Sequence, residues 1–331
     1  MNKKRKEIIA SNEISKLCTF NLGGYEQKVL LEGRSSKLPI LISLHGGPGT
    51  PIPFSAGGRG LFPEFTNRFI LVSWDQLGCG INNYKIDDSF TIDSFVQMGI
   101  DLVGEIRKLF PNNKIYIFST SWGSVLSARM LEKEPKLVDG VVACGQIVKN
   151  IFFNEATFDA LRKSKLPEKK LQEIESINMD NVEPKDLQLI SSSLMKYTNA
   201  YQNKNGKSAP MGSMIMGLMA SPDYKLKDFK AVMVNGYKGN RSLWDELLTI
   251  DLTDVLSGVE IPYTIIQGDT DVVAVTKTVK KLVKSAGNEK LTCLVVENTG
   301  HIPGTECMEY VLKVLSKMGD RTEYEKEEEI M

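Results

Sequence analysis

A chain of 331 residues, 42% hydrophobic and 25% charged, has the composition of a globular protein and the length to bury a large core. Its 41 basic side chains balance 41 acidic ones, so the formal net charge is zero. That balance offers no electrostatic reason to expect nucleic acid or an anionic membrane as a partner. We therefore expect the chain to act on a small molecule or a short peptide.

The cysteines and the N-terminus indicate a cytoplasmic protein. The basic start, MNKKRK, lacks the apolar stretch of a signal peptide because Glu7 and Glu13 interrupt it. No run of about 18 apolar residues occurs, so a membrane-spanning helix is not expected. The cysteines are odd in number and have no C-x-x-C spacing, so we expect no disulfide framework and no metal site. They are Cys18, Cys79, Cys144, Cys293 and Cys307.

Short β-branched segments alternate with helical ones in both halves of the chain, which is the pattern of βαβ units on a mostly parallel sheet. Near the start, KLCTFNLGGYEQKVLLEG predicts an antiparallel hairpin that turns at Gly23 and Gly24. Helices are predicted from Ser94 and from Thr276. The buried parallel strands are predicted at Pro39–Leu44, Phe69–Trp74, Lys114–Ser119, Gly140–Cys144, Tyr263–Gly268 and Leu291–Val296.

The strand pattern stops between residues 148 and 249, where charged helical segments follow one another. We interpret this region as an all-helical cap inserted between two strands of one sheet. The chain then divides into a core of residues 1–147 and 250–319 and a cap of residues 148–249. The remaining residues, 320–331, alternate in charge and have little to bury, so they are predicted to be a disordered tail.

The segment FSTSWGSVLS, residues 118–127, places Ser121 between a predicted strand and a predicted helix. A strand-to-helix turn of the G-x-S-x-G type pushes a serine hydroxyl out of the sheet and presents it as a nucleophile. The flanking positions have to be small. Gly123 meets that need on one side, and Ser119 replaces the first glycine on the other. We predict that Ser121 is a catalytic nucleophile rather than a structural turn residue.

A serine nucleophile needs a base, and the chain offers only His45 and His301. His301 follows the last predicted strand, where the chain order serine, acid, histidine places the base. His45 precedes the serine and is expected to hold its own loop. The acid belongs after the penultimate strand, in GDTD. Asp271 is preferred there because it lies clear of the strand end, while Asp269 stays open as an alternative or a turn residue.

The segment HGGPG, residues 45–49, follows the strand Pro39–Leu44 and is predicted to supply half of an oxyanion hole. Two backbone N–H groups have to point at the oxygen of the tetrahedral intermediate. One is expected from Trp122, directly after the nucleophile, and the other from Gly47, since paired glycines let a backbone approach a ligand closely. We expect Gly46 to contact the substrate.

Taken in order, HGGPG, SWDQLGCG, STSWGS, GDTD and GH resemble the proline iminopeptidase branch of the α/β-hydrolase superfamily. The resemblance covers nearly the whole chain except the tail. It implies an α/β fold with a mostly parallel eight-stranded sheet flanked by helices, and a helical cap over the serine. It also implies that no cofactor is needed and that the enzyme releases an N-terminal residue, often proline.

The chain departs from that family pattern at positions that bear on the substrate. Leu77 replaces an arginine, Asn82 replaces a serine, and the elbow begins with Ser119 and Thr120 instead of two glycines. The W-x-x-W-E signature with which the family's cap grips a free amine is absent from this chain. In its place, Glu155 in GQIVKNIFFNE is the candidate for an amine-binding carboxylate.

These patterns leave three functions open. The leading one is a serine hydrolase that forms a covalent acyl-enzyme and acts as a proline iminopeptidase-like aminopeptidase. A carboxylesterase or lactonase on an apolar acyl group is the first alternative, and a ligand receptor without catalysis is the second. The segment PMGSMIMGLMAS is either core filler or the lining of an apolar pocket, and Met214 is its candidate substrate contact.

Overall fold

The computed structural model of the protein describes residues 2–179, 181–202, 211–233, 237 and 240–328. Within these ranges, eight strands form one sheet. They are β1 (Ile14–Leu22), β2 (Tyr25–Gly33), β3 (Ile40–Leu44), β4 (Ile70–Trp74), β5 (Ile115–Thr120), β6 (Gly140–Cys144), β7 (Tyr263–Gly268) and β8 (Leu291–Val296).

The strands lie in the order β1-β2-β4-β3-β5-β6-β7-β8. The first two form the predicted hairpin, in which Leu22 pairs with Tyr25 across the turn, and β2 pairs antiparallel with β4. Every other pairing is parallel. The predicted mostly parallel sheet of eight strands is therefore confirmed, and the carboxyl ends of β3, β5, β6, β7 and β8 meet along one edge.

Helices surround this sheet and fill the interval between β6 and β7. They are α1 (Lys3–Ser11), α2 (Pro63–Thr66), α3 (Ile92–Leu109), α4 (Trp122–Lys133), α5 (Glu155–Arg162), α6 (Glu168–Glu175), α7 (Pro184–Tyr197), α8 (Met211–Met219), α9 (Leu226–Met233), α10 (Arg241–Thr249), α11 (Thr253–Ser257), α12 (Thr276–Ala286) and α13 (Thr305–Glu328). None of the helices in the described ranges combines the length and apolar composition needed to cross a bilayer.

The central strands are buried and mostly apolar because both faces of the sheet are covered. In β3, Ile40 and Ile42 pack into one core cluster, whereas Leu41 between them packs into the other. The first cluster contains residues of α3, α4 and the inserted helices, and the second contains residues of α13. Successive side chains of a strand point to opposite faces, so such a strand has no polar alternation.

Between β6 and β7 the chain forms only helices and connecting segments in the part that the structure describes. The division into core and cap at residues 148 and 249 stays a prediction. The helix α13 ends at Glu328, and the disordered tail at residues 320–331 stays a prediction. Residues 329–331 lie outside the described ranges.

Candidate active site

Ser121 occupies a strained turn between β5 and α4. Its backbone has φ 49° and ψ −117°, and its N–H donates to Cys144 O at the end of β6, 2.9 Å away. A Cβ atom at position 123 would lie only 2.0 Å from Leu44 O, so the glycine there is obligatory. Ser119 is fully buried, and its hydroxyl lies 3.0 Å from that of Ser127. A small side chain with a hydrogen-bond partner therefore substitutes for the glycine of the motif.

The structure brings Ser121, His301 and Asp271 together in one hydrogen-bonded line. Ser121 Oγ lies 2.7 Å from His301 Nε2, and His301 Nδ1 lies 2.8 Å from Asp271 Oδ2. A carboxylate can only accept, so His301 carries its proton on Nδ1 and presents Nε2 as an acceptor to the serine hydroxyl. The three residues come from the ends of β5, β7 and β8, which parallel pairing aligns at the same edge.

Asp271 is held by more than the histidine. Its Oδ1 accepts the N–H groups of Val273 and Ala274, each at 2.9 Å, and its Oδ2 accepts Gln267 Nε2 at 3.1 Å. Asp269 is exposed instead, and its Oδ1 accepts Thr299 N at 3.0 Å. Of the two aspartates, the structure therefore brings Asp271 to the histidine and uses Asp269 to fix a loop.

The HGGPG loop lies directly beside the serine. A Cβ atom at Gly46 would lie 3.3 Å from Ser121 Cβ, and Gly46 O accepts Thr50 N at 3.1 Å. Gly47 has φ 122°, a conformation that favours glycine. Trp122 is the first residue of α4, so its N–H has no partner within the helix. These positions suit the predicted oxyanion donors Gly47 and Trp122, whose role stays a prediction.

His45 supports that loop from beneath. Its Nε2 accepts Gln76 N at 3.0 Å, and its Nδ1 lies 2.9 Å from Gly46 O, to which it donates. Burial lowers the pKa of His45 from 6.5 to about 4. The ring is thus neutral at pH 7, and its two nitrogens have opposite roles, which agrees with the structural role predicted for it.

A cavity of about 600 Å³ lies above Ser121 and His301. Gly46, Gly47 and Met214 line it, as expected for two oxyanion-loop residues and a cap methionine. Glu155, the first residue of α5, does not line it. Among the described lining residues, Glu64 in α2 is the one that carries a carboxyl group.

Three contributors to the site were not predicted from the sequence. Glu64 and Tyr201 line the cavity, yet neither lies in a motif or a distinctive local pattern. Gln76 does lie in the SWDQLGCG segment, and its Oε1 accepts Trp122 Nε1 at 2.8 Å. An amide side chain in that motif is a signal that could have identified Gln76 as a partner of α4, the helix that follows Ser121.

The sequence matches the alpha/beta hydrolase fold family over residues 39–306, which is most of the chain. The chain belongs to this family. Across the described part of this hydrolase, no group of three or more His, Cys, Asp or Glu side chains is placed to hold a metal ion.

This hydrolase is similar over nearly its full length to the "Probable aminopeptidase YbaC" of Bacillus subtilis, with 24% identity, 92% of this chain and 94% of that protein covered. It is 30% identical to the proline iminopeptidase of Neisseria meningitidis serogroup A, but over only 38% of this chain and 39% of that protein. The solved structure of a Mycobacterium smegmatis proline iminopeptidase shares the fold, with a TM-score of 0.61, 20% identity, and 91% and 97% of the two chains covered.

Proposed function

We propose that this hydrolase is a serine hydrolase that works through a covalent acyl-enzyme. The observation that carries the proposal is the line of two short contacts, 2.7 Å from Ser121 Oγ to His301 Nε2 and 2.8 Å from His301 Nδ1 to Asp271 Oδ2. They lie at the base of an open cavity, where a substrate carbonyl can reach the serine. Nucleophile, base and orienting acid are the three groups that acyl transfer requires.

In the first half of the reaction, Ser121 Oγ attacks the substrate carbonyl carbon while His301 Nε2 takes the hydroxyl proton. His301 is then an imidazolium, and the buried Asp271 carboxylate stabilises its charge through the Nδ1–H bond. The carbonyl oxygen becomes an oxyanion, and we assign its two hydrogen bonds to the N–H groups of Gly47 and Trp122. His301 Nε2 gives its proton to the leaving group, which departs as an amine or an alcohol.

In the second half, a water molecule attacks the acyl group on Ser121. His301 Nε2 takes a proton from the water and returns it to Ser121 Oγ as the ester bond breaks. The acid product leaves, and the serine and the histidine are again in their starting protonation states. No cofactor enters either half of the cycle.

The test is Ser121→Ala, which removes the nucleophilic oxygen and keeps the backbone. We expect the variant to fold and to lose hydrolysis of a p-nitrophenyl ester, by about a thousandfold or more. Wild type should be labelled at Ser121 by a fluorophosphonate, and the variant should not be. Absence of labelling and turnover in folded wild type would favour the ligand receptor, and retained turnover in the variant would exclude Ser121 as the nucleophile.

We further propose that the substrate is a short peptide or amide with a free N-terminal amine, which makes the protein an aminopeptidase of the proline iminopeptidase type. The similarity to the probable aminopeptidase of B. subtilis over nearly the whole of both chains supports this. So does Glu64, a carboxylate at the cavity wall that has no salt bridge among the described residues. Ammonium groups bind to carboxylates of this kind. The cytoplasmic location stays a prediction.

An esterase or lactonase remains the competing proposal because Ile52, Phe62 and Met214 give the cavity a broad apolar wall that suits a plain acyl group. The two functions differ in how they respond to the amine. Acetylating the amine of an aminoacyl-naphthylamide should remove turnover by an aminopeptidase. An esterase would hydrolyse a matched short acyl ester, which has no amine, at least as fast as the aminoacyl-naphthylamide with its free amine. That result would reject the aminopeptidase.

A further inference from the structure

The loop that carries His301 is fastened to the helical insertion as well as to the sheet. His301 N donates to Ala200 O at 2.7 Å, and Ile302 N donates to Tyr201 O at 2.9 Å. Both acceptors belong to residues 199–201, the segment that follows α7. The backbone of the candidate base is therefore held by main-chain bonds to a part of the chain about a hundred residues away, between β6 and β7.

A hydroxyl joins this segment to the Asp271 loop. Thr270 Oγ1 lies 3.0 Å from Asn199 O and 2.9 Å from Thr299 O. Its hydroxyl proton is therefore shared between the segment 199–201 and the loop that carries His301. Thr270 is also the immediate neighbour of Asp271. The loops that carry the base and the acid thus meet the segment 199–201 at the same point.

Side chains and close packing complete the contact. The Tyr201 ring stands edge-on to the His301 ring, with centroids 5.8 Å apart and an interplanar angle of 88°. Its hydroxyl lies 2.8 Å from Ser191 Oγ on α7. A Cβ atom at Gly300 would lie 2.7 Å from Ala200 O, so the two backbones can approach this closely only because position 300 is glycine.

We propose that residues 199–201 are a positioning element for His301, which couples the order of the helical insertion to the alignment of the base with Ser121. The proposal rests on the proposed function, in which His301 is the base. Displacing a reacting group by 1 Å can cost about a hundredfold in rate. Small losses of order in this segment should therefore lower kcat more than they raise KM, because Tyr201 is one of many residues that line the cavity.

The first test is Thr270→Val, which keeps the side-chain shape and deletes the shared hydroxyl. We expect kcat for the ester, and the rate of fluorophosphonate labelling, to fall about tenfold, with KM within about twofold of wild type. The downfield proton NMR signal of His301 Nδ1–H should broaden or shift. The matched control is Thr292→Val, because the Thr292 hydroxyl donates to Thr264 on an exposed part of the sheet. This variant should leave all four measurements unchanged.

A second variant, Ser191→Ala, removes the partner of the Tyr201 hydroxyl without changing either loop, and we expect a smaller fall in kcat, of about threefold. Folded variants of Thr270 and Ser191 with wild-type kcat and labelling rate would overturn the proposal, and so would a change confined to KM. If Ser121→Ala is inactive and these variants are normal, only the positioning role fails. If Ser121→Ala keeps its activity, the proposed function itself fails.

Discussion

Trp122 Nε1 donates to Gln76 Oε1 at 2.8 Å, and this bond joins the residue after Ser121 to the loop that follows β4. Gln76 Nε2 in turn donates to His45 O at 3.2 Å, so one buried amide joins three loops of the site. We expect Gln76→Ala to lower the free energy of unfolding by about 2–4 kcal/mol, because it leaves the indole N–H of Trp122 and the backbone carbonyl of His45 buried without partners. Urea unfolding at pH 7 measures the change.

The matched control is Gln172→Ala, since Gln172 is an exposed residue of α6 whose amide donates to Glu168 at 3.3 Å. It should change the free energy of unfolding by less than about 0.5 kcal/mol. Equal losses in the two variants would show that the bridge through Gln76 has no special part in stability.

The backbone of Ser121 predicts an unusual order of stability between two variants. At φ 49° any residue with a Cβ atom is strained, and glycine is not. Ser121→Gly should therefore be more stable than Ser121→Ala by about 1 kcal/mol. At Ser192, an exposed position in α7, the order should reverse, since alanine is favoured over glycine by about 1 kcal/mol in a regular helix. Thermal unfolding of the alanine and glycine variants at both positions measures the two stability differences. The same order at both positions would contradict the strain argument.

His45 predicts a loss of stability in acid. Burial lowers its pKa from 6.5 to about 4 in the folded protein, so between these values the unfolded chain binds a proton that the folded chain does not. The stability from a neutral His45 is complete above pH 6.5 and is lost as the pH falls towards 4, with a total of about 3 kcal/mol. Urea titrations from pH 8 to pH 4 measure it.

The control for that titration is His45→Gln, which cannot gain a proton in this range. The difference in free energy of unfolding between wild type and variant should shrink as the pH falls from 6.5 to 4. Parallel pH profiles would mean that His45 has the same pKa in the folded and the unfolded state, which would contradict the prediction.

Glu64 predicts selectivity for an amine. Loss of hydration at the cavity wall raises the pKa of the Glu64 carboxyl, and an ammonium group would restore favourable contacts to its charged form. Glu64→Gln should lower kcat/KM for an aminoacyl-naphthylamide about tenfold and leave an amine-free ester within about twofold. The exposed Glu289 supplies the matched Glu→Gln control. If Glu155→Gln removes the preference for the substrate with a free amine and Glu64→Gln does not, Glu155 is the amine-binding carboxylate, as predicted from the sequence.

The strands were predictable from local sequence. The segments Gly140–Cys144 and Tyr263–Gly268 are strands with the predicted bounds. A buried parallel strand is rich in apolar residues, and such short apolar segments can be recognised in the sequence. Parallel order then aligns the carboxyl ends of the strands. Once Ser121, Asp271 and His301 were placed at those ends, their meeting required no further information.

The walls of the site could not be predicted in this way. Glu155 and Glu64 are both glutamates near the start of a helix, and nothing local distinguishes the one that lines the cavity. The same holds for Tyr201, which reaches His301 across a hundred residues of chain. By itself the sequence determined the strands, the chain order of Ser121, Asp271 and His301, and the glycines that close contacts demand, since these depend on local backbone rules. Only the tertiary structure decided which side chains line the cavity and hold His301, because such contacts depend on how distant helices pack.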